Sequence, residues 1–146
     1  MSRRILVLGP PASGKTTLAK QLSELLGLPH IEADRLYWKS DKGMEINPQF
    51  ETELKVQLAQ PGWILEGLFK RTHPYLDGLV SEVLQLDTPY LTIVRRSFLR
   101  GMQTGRWDDL RINTNPNSFK QRRRLFNAFR ENNNLRWRKV QGFNDV

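Results

Sequence analysis

Residues Gly9-Pro10-Pro11-Ala12-Ser13-Gly14-Lys15-Thr16 set two glycines, a lysine and a hydroxyl residue at the spacing G-x-x-x-x-G-K-[ST]. Ahead of them Ile5-Leu6-Val7-Leu8 is a continuous apolar run, the pattern of a strand buried on both faces. Behind them Leu18, Leu22, Leu25 and Leu26 recur at i, i+4, i+7 and i+8, which predicts one apolar helix face, closed by Gly27 as a C-cap. Strand, glycine-rich loop and helix make the opening half of a βαβ unit, so the chain is committed to a layered α/β arrangement. In such a loop the glycines let successive N–H groups turn toward one point, and the helix start adds the positive end of its dipole. That is a cradle for phosphate. Gly9, Pro11, Ala12, Ser13, Gly14, Lys15, Thr16 and Thr17 are the candidate binding residues, with Lys15 supplying a full charge to the β and γ phosphates and Thr16 a hydroxyl ligand for Mg²⁺.

The rest of the chain continues the alternation. Pro29 to Glu32 reads as a short second strand, and Asn47-Pro48 opens a helix over about 48–60 with Phe50, Leu54 and Leu58 at spacing four. Pro61-Gly62 breaks it, Trp63-Ile64-Leu65-Glu66 forms a third strand, a short helix covers about 73–80, and Val83 to Asp87 gives a fourth strand. Residues 90–103 read as a helix with Leu91, Val94, Phe98, Leu99 and Met102 inward. Residues 104–118, rich in Gly, Asp, Asn and Pro, read as a long mobile loop, and Phe119, Phe126 and Phe129 mark the inner face of a basic helix over about 118–132, which Asn132-Asn133-Asn134 ends. After Leu135 no good fifth strand is evident. The fold class is therefore a three-layer α/β P-loop NTPase domain over residues 1–146 with a parallel sheet.

Composition narrows the class further. At 146 residues, without Cys and with two separated His residues, the chain offers no disulfide and no thiolate zinc site. The first apolar run is too short for a signal peptide core or a membrane span, so a soluble, cytoplasmic protein with no membrane partner is expected. The net charge of +8 is unevenly spread: 10 Lys and Arg face 11 Asp and Glu up to residue 90, then 13 face 4. The last third of the chain is therefore built to meet anions, either nucleotide phosphates or nucleic acid. No Asn-Lys-x-Asp segment is present to read guanine, and the chain is short for transporter or ring ATPases. Small-molecule phosphoryl transfer fits best.

Besides the loop, Asp34-Arg35-Leu36-Tyr37-Trp38, Trp63-Ile64-Leu65-Glu66-Gly67 and Arg71-Thr72 resemble segments of the adenylate-kinase-like P-loop kinases, and among them the small bacterial DNA topology modulation (FlaR-type) proteins. The resemblance spans residues 1 to about 130. It implies a strand order of 2-3-1-4-5 if a fifth strand exists, ATP over the first strand and an acceptor near the ends of the second and third. It also implies that Asp34 binds the acceptor hydroxyl and takes its proton, and that Arg71 grips the acceptor. Tyr37 and Trp38 either wall the acceptor pocket or belong to the core. Glu66 stands where adenylate kinases have Asp, and can hold a water of the Mg²⁺ shell. Of Arg95, Arg96, Arg100, Arg106 and Arg111 on or before the loop, the expected lid arginines are Arg96, Arg100 and Arg106.

Two functions follow from these residues. One is an ATP-dependent kinase of a nucleoside, nucleotide or sugar-like alcohol. The other is an ATP-binding regulatory or nucleic-acid-binding protein, supported by eight basic residues between Lys120 and Lys139 against the single acid Glu131, with Phe126, Phe129 and Trp137 interleaved.

Overall fold

In the computed structural model, which describes residues 2–39, 45–68, 70–133 and 135–146, a five-stranded sheet is ordered β2-β3-β1-β4-β5. The strands are β1 (Arg4–Leu8), β2 (His30–Glu32), β3 (Trp63–Glu66), β4 (Glu82–Leu86) and β5 (Arg136–Val140), all paired in parallel. Ile5, Leu6, Val7 and Leu8 are each 0% exposed, which is why β1 takes the centre. The register sets Glu66 opposite Val7 and Glu32 opposite Glu66, so the ends of β1, β2 and β3 meet along one edge of the sheet. The site is built on that edge.

Helices cover both faces. On one, α1 (Lys15–Leu26) buries Leu18, Ala19 and Leu22 against Val7, Ile64 and Leu84. On the other, α3 (Phe50–Leu58) and α7 (Pro116–Asn132) bury Phe50, Leu54, Phe126 and Phe129 against Leu6, Leu65 and Val83. The short helices α2 (Ala33–Tyr37) and α4 (His73–Leu76) follow β2 and β3, while α5 (Tyr90–Thr104) and α6 (Asp108–Thr114) follow β4. Three layers around a parallel sheet of this order, with the glycine-rich loop between β1 and α1, make this a P-loop NTPase fold. No helix among the described residues is long and apolar enough to cross a membrane.

Several expectations change. The fifth strand exists, and its sequence hides it because β5 is an edge strand that carries charge: Arg138 pairs with Glu82 at 3.2 Å and Arg130 of α7 lies 5.8 Å from the Trp137 ring centroid. The stretch 104–118 is not a loop. Most of it is α6 and the start of α7, joined where the Asn115 side chain accepts a hydrogen bond from Asn117 N–H, with Pro116 opening the helix. In α5 the buried residues are Ile93, Ser97 and Gly101, whereas Leu91, Phe98, Leu99 and Met102 are exposed. A small residue at 101 lets Trp107 approach so closely that a Cβ there would sit 2.4 Å from its ring, and this contact, rather than apolar periodicity, orients the helix. Leu25 and Phe119 are exposed as well, although Leu26 beside Leu25 packs against the core. The helix expected over 48–60 begins at Phe50, that over 73–80 ends at Leu76, and α7 ends at Asn132, with Asn134 outside the described residues.

Candidate active site

Between β1 and α1 the chain turns through two left-handed residues, Ala12 at φ 64° and Gly14 at φ 98°. At Gly9 a Cβ would lie 2.5 Å from Ser13 Oγ, so the loop closes only over glycine. Its carbonyl oxygens are held from outside. Asn113 Nδ2 donates to Pro11 O at 2.8 Å and Thr88 Oγ1 to Ser13 O at 2.9 Å, with Arg96 at 3.5 Å from the same oxygen. Because N–H and C=O point oppositely across a trans peptide, those bonds turn the amides of Ala12 and Gly14 toward the concave side. Ser13 Oγ is buried there with no partner among the described residues.

Lys15 opens α1 inside this turn. Burial pushes its ammonium below the usual lysine range, and the charges of Asp34 and then Glu66 act against that shift, while Arg122 adds to it and Asp109 opposes it. One lysine thus reports four charged groups from four elements around it. Thr16 Oγ1 donates to Glu66 Oε1 at 2.7 Å, and His30 Nε2 lies 3.0 Å from Glu66 Oε2, so the carboxylate is oriented from both sides. Among the described residues no group of three His, Cys, Asp or Glu could hold a metal ion unaided. One hydroxyl and one carboxylate suit Mg²⁺, which keeps several waters and takes its remaining ligands from substrate phosphates.

The other expected residues divide. Asp34 stands exposed in the first turn of α2, and its charge reaches Lys15. Arg96 and Arg100 line a cleft of about 310 Å³ together with Gly14, Thr17, Gly142 and Phe143, and Arg100 is paired with Asp109 of α6 at 2.6 Å. The fifth strand is therefore followed by a loop that closes this cleft. Arg106 is exposed on the α5–α6 connection and does not line the cleft, and Arg71 is exposed beside α4, where its charge acts on Tyr75. Tyr37 is half-buried, edge-on to Phe50 at 5.2 Å, and packs on the core; Trp38 is exposed, edge-on to Tyr37.

Sequence reasoning missed four contributors. His30 was one of two isolated histidines, yet parallel pairing of β2 with β3 brings it to Glu66. Arg122 belonged to the basic tail, but it is half-buried, and desolvation pushes its pKa down. A signal existed: Arg122 precedes Phe126 by four and Phe129 by seven, which places it on the buried face of α7. Asn113 and Thr88 gave none, since each acts only through long-range contact with the loop.

No protein-family model matches the chain. Adenylate kinase of Stenotrophomonas maltophilia (strain K279a) is 31% identical, over 85% of this chain and 79% of the relative. Among solved structures, shikimate kinase from Bacteroides thetaiotaomicron superposes with a TM-score of 0.53 at 19% identity, covering 86% of this chain and 82% of the other. A gluconokinase from Sinorhizobium meliloti 1021 gives 0.54 at 15% identity, covering 94% and 81%. The fold and the phosphate loop define a P-loop NTPase-type protein. Within that class the chain belongs to the adenylate kinase family.

Proposed function

We propose that the chain transfers the γ-phosphoryl group of ATP to a small-molecule acceptor, nucleotide- or nucleoside-like, with Mg²⁺ as cofactor. The observation that carries this reading is the convergence on Lys15 of Asp34 from β2–α2 and of Glu66, itself bound to Thr16. Loop amides and Lys15 hold the β and γ phosphates, and the cleft beside Arg96, Gly142 and Phe143 takes the base. Mg²⁺, held by Thr16 and through water by Glu66, supplies neutralisation of the phosphate oxygens. Asp34 orients the acceptor hydroxyl and accepts its proton as the new O–P bond forms and the bond to the ADP oxygen breaks. Arg96 and Arg100, with Arg122 nearby, stabilise charge on the transferring group, and the segment 104–118 serves as the lid that excludes water. Glu66 also faces the acceptor side, while Tyr37, Trp38 and Arg71 lie on the path of α2 and α4 that an acceptor would follow.

Membership of the FlaR-type group rests on the Leu36-Tyr37-Trp38 and Trp63-Ile64 segments, and a cytoplasmic location on the composition. The nucleic-acid reading is weaker. Phe126 and Phe129 are buried, and Trp137 donates to Gln85 Oε1 at 2.9 Å, so none of the three is free to stack on bases. A coupled ADP-release assay over candidate acceptors tests the kinase reading. Turnover should fall by about 100-fold or more in Lys15→Ala. Protein that binds no Mg-ATP, or activity indifferent to Lys15→Ala, would sink it.

A further inference from the structure

Asn113 sits in a seven-residue helix whose other side chains are exposed or half-buried, yet it is itself 0% exposed. Both hydrogens of its amide are used: Nδ2 donates to Pro11 O at 2.8 Å and to Ser97 Oγ at 2.9 Å. Ser97, also 0% exposed, passes its own hydrogen to Ile93 O at 2.9 Å, which fixes the hydroxyl as an acceptor toward Asn113. Asn113 Oδ1 is buried with no partner among the described residues. An amide sealed in this way carries the desolvation cost of an orphaned acceptor, which an apolar residue of the same size would avoid. Its retained benefit is the bond to the phosphate loop, 102 residues away in the chain. The same helix is tied to the cleft a second time, through Asp109 and Arg100 at 2.6 Å.

We propose that Asn113 is a positioning residue for nucleotide phosphates. By drawing the Pro11 carbonyl outward it aims the Ala12 N–H into the cradle, and it makes phosphate affinity depend on the seating of α6. The segment that covers the site is then also a buttress of the loop it covers. This rests on the nucleotide-binding reading above.

Asn113→Asp replaces the donor with an acceptor at nearly constant shape, and Asn113→Ala removes it. Ser97→Ala removes only the support behind it. Calorimetric affinities for Mg-ATP and for inorganic tripolyphosphate, measured well below each variant's own melting temperature, separate positioning from general destabilisation. Both Asn113 variants should lose about tenfold or more for both ligands and by similar factors, with Ser97→Ala losing about threefold. Affinities within twofold of wild type, or a loss for ATP without one for tripolyphosphate, overturn the proposal, because the effect would then be absent or lie in the base cleft. Should the Asn113 variants show no cooperative melting, Ser97→Ala decides on the same criteria. Wild-type protein that binds neither ligand overturns the nucleotide reading, and this inference with it.

Discussion

Burial holds the Lys15 ammonium below its ordinary pKa of 10.5, and the carboxylates of Asp34 and Glu66 offset that only in part. A lysine whose folded pKa is lowered disfavours folding while it is charged. The penalty is present at every pH below the lowered value and fades as pH rises from there toward 10.5. Lys15→Met should therefore melt no lower than wild type at neutral pH without nucleotide, and the difference should close in alkaline solution as 10.5 is approached. Added Mg-ATP should raise the melting temperature of wild type alone, since binding stabilises only the form that binds. Thermal melts across pH with and without Mg-ATP check both statements. A fall in the melting temperature of ligand-free Lys15→Met would show that the lysine serves the fold. At Glu66 the carboxylate is buried between Thr16 and His30, so Glu66→Gln keeps the shape while removing the charge. ATP affinity should then lose about tenfold of its dependence on Mg²⁺, read by titration at several metal concentrations.

The helix α5 carries the clearest lesson at the level of elements. Its most apolar stripe, Leu91, Phe98 and Met102, faces outward, while Ile93, Ser97 and Gly101 face inward. Periodicity ranks faces by hydrophobicity, but this helix is seated by close approach of Trp107 to Gly101 and by the Ser97–Asn113 bond. Gly101→Ala would ordinarily help a helix by up to about 1 kcal/mol. Here the added methyl meets the indole ring at 2.4 Å, so a net loss of about 1–3 kcal/mol is expected, with Gly101→Ala/Trp107→Leu recovering most of it in denaturant unfolding. Ile93→Ala should cost about 2–4 kcal/mol and Leu91→Ala less than about 0.5, the reverse of the order that hydrophobic pattern suggests. Equal costs at the two positions would contradict the observed facing of α5.

Across the whole molecule, five of the thirteen cations in the last third of the chain are taken up by the cleft, the buried site and the β5 edge. Arg96 and Arg100 face the cleft, Arg122 stands near Lys15, Arg130 covers Trp137, and Arg138 joins Arg3 on the buried Glu82. That carboxylate ties the lead into β1 to β4 and β5, so the edge strand and the cleft loop after it are secured by one acid. The remaining cations, such as Lys120, Arg123, Arg124, Arg136 and Lys139, are exposed, while Phe126, Phe129 and Trp137 interleaved with them are not free to stack. Titration with duplex DNA should accordingly show only weak association that vanishes between low and physiological salt. Saturable binding that survives physiological salt would restore the nucleic-acid reading.

The amino-acid sequence by itself determined the features that depend on neighbours in the chain. The glycine spacing of residues 9–16, the buried run of β1 and the leucine period of α1 are local patterns, and they carry the phosphate loop and the layered fold with them. Glu66 was legible for the same reason, as the acid that ends an apolar strand. What tertiary structure decided is which distant groups meet. His30 reaches Glu66 only through strand pairing, Asn113 reaches Pro11 only because α6 folds back over the loop, and β5 is a strand only because β4 offers it an edge. Hydrogen bonds between residues far apart in the chain leave no period to read, and a half-charged edge strand has no apolar face to announce it.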